Sequence, residues 1–154
     1  VQAAAVAAVV ILVDQITKLA VAGRLAIGES APVLRGLIAL RHIRNTGAVF
    51  GVMRGSGRYF TVFSIVAAAV LIIVIFLARR TSTFVKVSLG LIPGGAVGNL
   101  IDRLRFGNVV DFIDVGIGPG IRWPCFNVAD LAITLGVAFL VVNTLRKPET
   151  DSSG

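Results

Sequence analysis

Charge is scarce in this 154-residue chain, where Asp, Glu, Lys and Arg make up 15% of positions, against about 25% in an ordinary soluble domain. A soluble domain of this length would lack the residues for a polar surface. Cysteine and histidine occur once each, as Cys125 and His42, which excludes an intrachain disulfide and a His-Glu-x-x-His zinc helix. The 17 glycines follow no three-residue period, so a collagen-like chain is excluded as well. Hydrophobic residues instead fill 56% of positions and the mean hydropathy is +0.90, far too apolar for a disordered chain. An integral membrane protein of one unit follows. The net charge of +7 is scattered between apolar runs. With no stripe to track a phosphate backbone, no nucleic-acid partner is expected. Arginines contacting anionic lipid headgroups at the membrane boundaries account for the excess.

Four apolar runs are long enough to span a bilayer, and the spacing predicts helices at about 3–22, 59–78, 84–103 and 128–145. The first counts as a span only if Asp14, Gln15, Thr17 and Lys18 lie within it. Asp14 and Lys18 interrupt what a cleavable signal peptide keeps apolar, and no basic segment precedes the run. The second holds no charge and has Arg58 at one end and Arg79 and Arg80 at the other, positioned to snorkel to the interfaces. In the third, Gly90, Gly94 and Gly98 recur every four residues and make a smooth stripe for close helix packing. Pro93 predicts a bend there. The fourth carries Asp130 in its first turn, and the tail after Pro148 is polar.

The fold class expected is therefore an all-α membrane protein of four helices with a small β region, forming a single membrane domain over 1–154. The β region, at about 30–56, mixes β-favouring residues with turn signals such as Asn45-Thr46-Gly47 and is expected to lie at the membrane surface. A second connection, 104–127, flanks Asp111 with apolar residues. Four spans place both long connections on one side and both termini on the other. The arginine count in the first connection would by itself put that side in the cytoplasm.

Ionisable residues at membrane depth are functional candidates, because an isolated charge there costs about 2.5–3.5 kcal/mol even on lenient scales. Asp14 and Lys18 are four apart on one helix face and are read as an ion pair orienting the first helix. Asn99 and Arg103 share a face beside the glycine stripe, whereas Asp102 is expected to point elsewhere and pair near the surface. Asn127 and Asp130 have the spacing of a capping box, and the helix end favours an ionised Asp130. Asp111, between Val110 and Phe112, has no such local explanation and requires a partner. Asp114 is its rival by spacing. Two carboxylates brought together share a proton. One can then take a proton from an attacking water while the other polarises a peptide carbonyl. That chemistry is an aspartic peptidase's. A Ser-His pairing of His42 with Ser64 or Ser88 lacks a nucleophile turn, and Cys125 reads as a packed thiol beside Trp123. The alternative from another class is a small transporter or proton-relay subunit, since bundle carboxylates also serve as relays.

The ordered motifs resemble the bacterial lipoprotein signal peptidase family, also called signal peptidase II. They are Asp14-Gln15-x-Thr17-Lys18, Asn45-Thr46-Gly47-Ala48-x-Phe50-Gly51, Gly94-Gly95-Ala96-x-Gly98-Asn99-x-x-Asp102-Arg103, Val109-Val110-Asp111-Phe112 and Phe126-Asn127-x-Ala129-Asp130. The resemblance implies an aspartyl endopeptidase of the bacterial cytoplasmic membrane, needing no metal and no cofactor. Its substrates would be diacylglyceryl-modified prolipoproteins, cut immediately before the lipidated cysteine. It implies catalytic roles for Asp111 and Asp130, and ranks Asp111 above Asp114. It also implies that Asn45, Gly47, Asn99, Arg103, Asn127 and Ala129 line or support the site, and that Asp14 and Lys18 are structural or contact substrate. The dyad and both long connections would then face away from the cytoplasm. Membrane lipids are the surrounding partners, and a monomer is the expected state.

Overall fold

In a computed structural model, the described residues are 2–46, 83–118 and 120–145. The expected second span at 59–78, the later part of the first β region and Gly47 lie outside them. Helix α1 covers Gln2–Ala22, α2 Thr83–Phe106 and α3 Val128–Leu145. All three agree with the sequence expectation to within a few residues. Two of them, α1 and α2, have the length and composition to cross a membrane. A core helix of a soluble protein passes the same test but is mostly buried, whereas only 22% of the apolar window of α1 is. Val9, Leu12, Val13, Ile16 and Leu19 are all exposed along it, as suits a helix solvated by lipid.

The glycine stripe is where α1 sits. A Cβ added to Gly90 would fall 2.6 Å from the Ala3 carbonyl oxygen and from Val6 Cβ. At Gly94 it would meet Val10 Cβ at 2.9 Å, and at Gly98 the Asp14 carboxylate at 2.7 Å. Small residues let two backbones approach closely, and here the stripe is filled by the chain's own first helix. The matches rise together in number, so α1 and α2 run parallel. Helix α3 runs antiparallel to α2. Gly95 is covered by the Ala129 backbone, a Cβ added to Gly136 would fall 2.6 Å from Ile92, and the Phe84 and Phe139 rings meet edge-on at 6.3 Å. Pro93 lies inside α2, which continues unbroken on both sides of it.

The β structure is larger than expected. Strands β1 (Ser30–Leu34) and β2 (Ile38–Asn45) come from the first connection, while β3 (Val109–Ile117) and β4 (Ile121–Arg122) come from the second. Together they form one antiparallel sheet in the order β1-β2-β3-β4. The connection at 104–127 thus supplies β3 and β4 to the sheet. Its Val-Val-Asp-Phe-Ile-Asp-Val run pairs with β2 from Asn45↔Val109 to Ile38↔Val115. The pairing bulges between Leu40 and Ile43 and brings Asp111 opposite Ile43.

Candidate active site

The site begins at the N-terminus of α3, where the first amides of a helix lack intrahelical partners. Asn127 and Asp130 close a reciprocal box. The Asp130 amide donates to Asn127 Oδ1 at 3.0 Å, and the Asn127 amide donates to Asp130 Oδ2 at 3.2 Å. The sequence spacing had indicated this motif. A further cap arrives from another helix: the Ala129 amide donates to Asp14 Oδ1 at 3.0 Å. Asp14 therefore ties α1 to the first turn of α3, and both Asp14 and Ala129 are 0% exposed.

Behind this cap lies a buried ion cluster. Lys18 Nζ stands 2.8 Å from Asp14 Oδ2, the pairing read from the sequence, and also 3.0 Å from Asp102 Oδ2. Asp102 is 1% exposed, so the expectation of a near-surface pairing is wrong. The reason is periodicity: Asp102 continues the row Gly90, Gly94, Gly98 and so faces α1. It also accepts the Val110 amide at 3.0 Å, holding the start of β3. Gln15 completes the cluster by donating to Asp14, the Gly98 carbonyl and Asp102 at 3.1, 3.2 and 3.1 Å. Neither role was assigned from sequence. A lysine at membrane depth wedged between two elements needs more than one acceptor, and the row of four offered Asp102.

Lys18 also fixes the orientation of Asn99. Its ammonium, which can only donate, lies 3.0 Å from Asn99 Oδ1, and Asn127 Nδ2 donates to the same oxygen at 3.1 Å. The Asn99 amide nitrogen is thereby turned toward Asp130 Oδ1, at 2.8 Å. Asn127 works in the same way. Its oxygen is committed to the Asp130 amide, so its Nδ2 reaches Asp111 Oδ1 at 2.7 Å. The other oxygen of Asp111 accepts Asn45 Nδ2 at 2.9 Å. One side chain, Asn127, thus contacts Asp111 directly and forms the capping box with Asp130.

Asp111 is 2% exposed, and its carboxyl is pushed up to about 6, chiefly by burial. The Asn45 hydrogen bond opposes the shift, and the negative charge of Asp130 adds to it. Such a group keeps its proton into the mildly acidic range, well above the pH at which an ordinary carboxyl loses it. Arg103 is half-buried, donates to the Asn99 carbonyl at 3.3 Å and lies in electrostatic range of Asp130, Asp111 and Asp102. Its positive charge offsets that accumulation of carboxylates.

The rival candidates are occupied elsewhere. Asp114 accepts Arg122 Nε at 2.6 Å, so its carboxyl is committed to that arginine, while Asn45 and Asn127 donate to Asp111. The Cys125 thiol is pushed up to about 12 by burial and then by Asp111 and Asp114, so it stays protonated and is no nucleophile. His42 Nδ1 lies 2.9 Å from the Leu25 carbonyl. Ser88 donates to the Phe84 carbonyl one turn back at 3.0 Å, while Ser64 lies outside the described residues.

Comparison with known proteins agrees with this geometry. The family model described as Signal peptidase (SPase) II matches residues 6–146. This chain belongs to the signal peptidase II family. A lipoprotein signal peptidase of Syntrophus aciditrophicus is 42% identical over 151 residues, covering 95% of this chain and 93% of that protein. One from Halothermothrix orenii is 42% identical, covering 87% of this chain and 88% of its own length. Among solved structures, a bacterial membrane enzyme determined by the in meso method superposes with a TM-score of 0.86 at 31% identity, over 99% of this chain and 93% of that one. Family membership makes the chain a membrane peptidase, and the proton-relay reading is set aside.

Proposed function

We propose that the chain removes signal peptides from diacylglyceryl-modified prolipoproteins, cutting immediately before the lipidated cysteine with Asp111 and Asp130 as its catalytic pair. The observation that carries the reading is Asn127. It donates to Asp111 and is locked to Asp130 in a capping box, so the two carboxyls are held by one rigid helix end. In the step this supports, the Asp130 carboxylate takes a proton from a water as the water's oxygen bonds to the scissile carbonyl carbon. Protonated Asp111 donates a hydrogen bond to the carbonyl oxygen. The proton on Asp130 then passes to the amine nitrogen as the C–N bond breaks. Asn45, Asn99 and Asn127 hold the carboxyls, Arg103 balances their charge, and Asp14, Lys18 and Ala129 fix the helix end beneath them. Gly47, two positions after Asn45 in the second motif, is assigned to the site on the family resemblance of that motif.

The parallel course of α1 and α2 supports a four-span topology. Leaving α1 at one end and entering α2 at the opposite end requires the chain to cross back, and the uncharged run at 59–78 is about 30 Å long as a helix. The sheet and the pair then lie on the face opposite the chain termini, which we assign to the extracytoplasmic side of the bacterial inner membrane. The chain is proposed to act as a monomer surrounded by lipid. Purified protein should cleave a diacylated prolipoprotein and leave the unmodified precursor intact. Asp111→Asn and Asp130→Asn should each lower the rate by roughly 10²–10⁴-fold without unfolding the protein. Substantial cleavage by either folded variant rejects the pair.

A further inference from the structure

Strand β2 carries an extra residue at the level of the site. Leu40 pairs with Ile113 and Ile43 with Asp111, so Arg41 and His42 together stand against Phe112 alone. Strand β3 bends at the same level, where the Phe112 and Ile113 amides both donate to the Phe126 carbonyl, at 3.0 and 2.7 Å. The bulge in β2 decides where Asn45 points. Past it the pairing resumes as Ile43↔Asp111, Arg44↔Val110 and Asn45↔Val109, and Asn45 Nδ2 reaches Asp111 Oδ2 at 2.9 Å. Closing the bulge would slip β2 by one residue and turn each later side chain, Asn45 included, to the other face.

His42, inside the bulge, is fastened at three points. Its amide donates to the Glu29 carbonyl at 3.0 Å, and its carbonyl accepts the Gly28 amide at 2.7 Å. The residue is 3% exposed, and its Nδ1 lies 2.9 Å from the Leu25 carbonyl. A carbonyl only accepts, so the proton is on Nδ1. Nε2 is buried with no partner among the described residues and adds nothing to the hold. The Leu25 amide in turn donates to the Val21 carbonyl in the last turn of α1, at 2.9 Å. Beyond it the segment is braced by Glu29 Oε2, which accepts the Ala26 amide at 2.7 Å.

We propose that His42 is a positioning residue for the reaction: its Nδ1–H bond to Leu25 pins the β2 bulge to the end of α1 and thereby keeps the Asn45 carboxamide on Asp111. Helix α1 is then the common reference for both reacting carboxyls. It acts through Lys18 and Asn99 on Asp130, and through Leu25, His42 and Asn45 on Asp111. The catalytic consequence rests on the reading of Asp111 as the acid of the pair.

The Asn45 hydrogen bond holds the Asp111 carboxyl below where burial alone would leave it, so weakening that bond moves the group above about 6. Carboxyl-carbon NMR of the full chain in detergent micelles follows the titration, with the Asp111 signal identified by its loss in Asp111→Asn. His42→Phe fills the space without a donor. It should move the Asp111 midpoint up by about half a unit to one unit and lower kcat on a diacylated prolipoprotein roughly 10- to 100-fold. His42→Asn keeps a nitrogen where Nδ1 stands and should restore both. His42→Gln, whose nitrogen falls nearer the Nε2 position, should behave as His42→Phe does and replaces it if that protein does not fold. In an Asn45→Ala background the same substitutions should shift the midpoint no further. Asp130, Lys18 and Arg103, the other charges in range of Asp111, are unaltered throughout. A less stable variant that keeps the parent midpoint would overturn the proposal and leave His42 a packing residue. So would a shift that persists in full without Asn45. The titration needs no peptidase activity, so its failure is separate from failure of the cleavage reading.

Discussion

Lys18→Met tests whether the buried cation organises the site. In the parent, one ammonium lies within 2.8 and 3.0 Å of two carboxylates, with side-chain exposures of 3%, 0% and 1% for Lys18, Asp14 and Asp102. Removing it leaves two uncompensated carboxylates bridged only by Gln15. Breaking a buried pair in this way costs about 3–5 kcal/mol. Asp102→Asn in the parent removes a charge but keeps an oxygen for the Val110 amide, so Lys18 stays paired with Asp14 and the loss is smaller. The informative variant is the double one. If repulsion between the two carboxylates drives the Lys18→Met loss, adding Asp102→Asn restores part of it, and the cycle gives a coupling of about 1–3 kcal/mol. Unfolding in a detergent-denaturant series, followed by helical circular dichroism, measures all four proteins. Additive losses would refute the reasoning, as would a Lys18→Met protein as stable as the parent. The same variant frees Asn99 Oδ1 from its cation, so cleavage should fall even where the protein remains folded.

Other outcomes follow from the same geometry. The raised Asp111 carboxyl stabilises the fold in its protonated form, so its contribution is complete below the ordinary value of 3.8 and is lost as pH rises through about 6. Up to about 3 kcal/mol of stability should disappear from the parent between those values and pH 8, but not from Asp111→Asn; parallel pH profiles would refute this. Gly95→Val drives a side chain into the Ala129 backbone and should cost at least about 1–3 kcal/mol, read as a lower unfolding midpoint. Asp114→Asn loosens a partly exposed pair with Arg122 and should cost under about 1 kcal/mol. Cleavage by that variant should stay near the parent rate, in contrast with Asp111→Asn.

Much of the frame was legible in the sequence because hydropathy and helical period are local signals. The bounds of α1, α2 and α3 follow from runs of apolar residues ended by charge, and the capping box from a three-residue spacing. Pairing between β2 and β3 was not legible in that way, because it joins segments separated by α2 and by the apolar run at 59–78. The strand character of 109–117 was nevertheless written in its β-branched and aromatic residues. Asp102 was misplaced because its neighbour Arg103 drew attention to the other face. Extending the four-residue glycine row by one step would have turned it toward Lys18. The rivalry of Asp111 with Asp114 illustrates a different case, since partners and not spacing separate them: Asn45 and Asn127 donate to Asp111, whereas Arg122 pairs with Asp114.

The use of asparagine at the centre of the site has a physical reason. A carboxamide accepts at one end and donates at the other, so a partner that fixes its oxygen also aims its nitrogen. Lys18 fixes Asn99 and the Asp130 amide fixes Asn127, and each nitrogen is thereby delivered to a carboxylate. An aspartate in either place would add a further negative charge to a buried group that already includes Asp14, Asp102 and Asp111. A leucine would leave carboxylate oxygens without donors, at about 1–3 kcal/mol each or more. The ion cluster between α1 and α2 and the N-terminus of α3 therefore act on the reacting carboxyls through two amides. Neither asparagine can be replaced by a charged or apolar residue without disturbing both ends of that linkage.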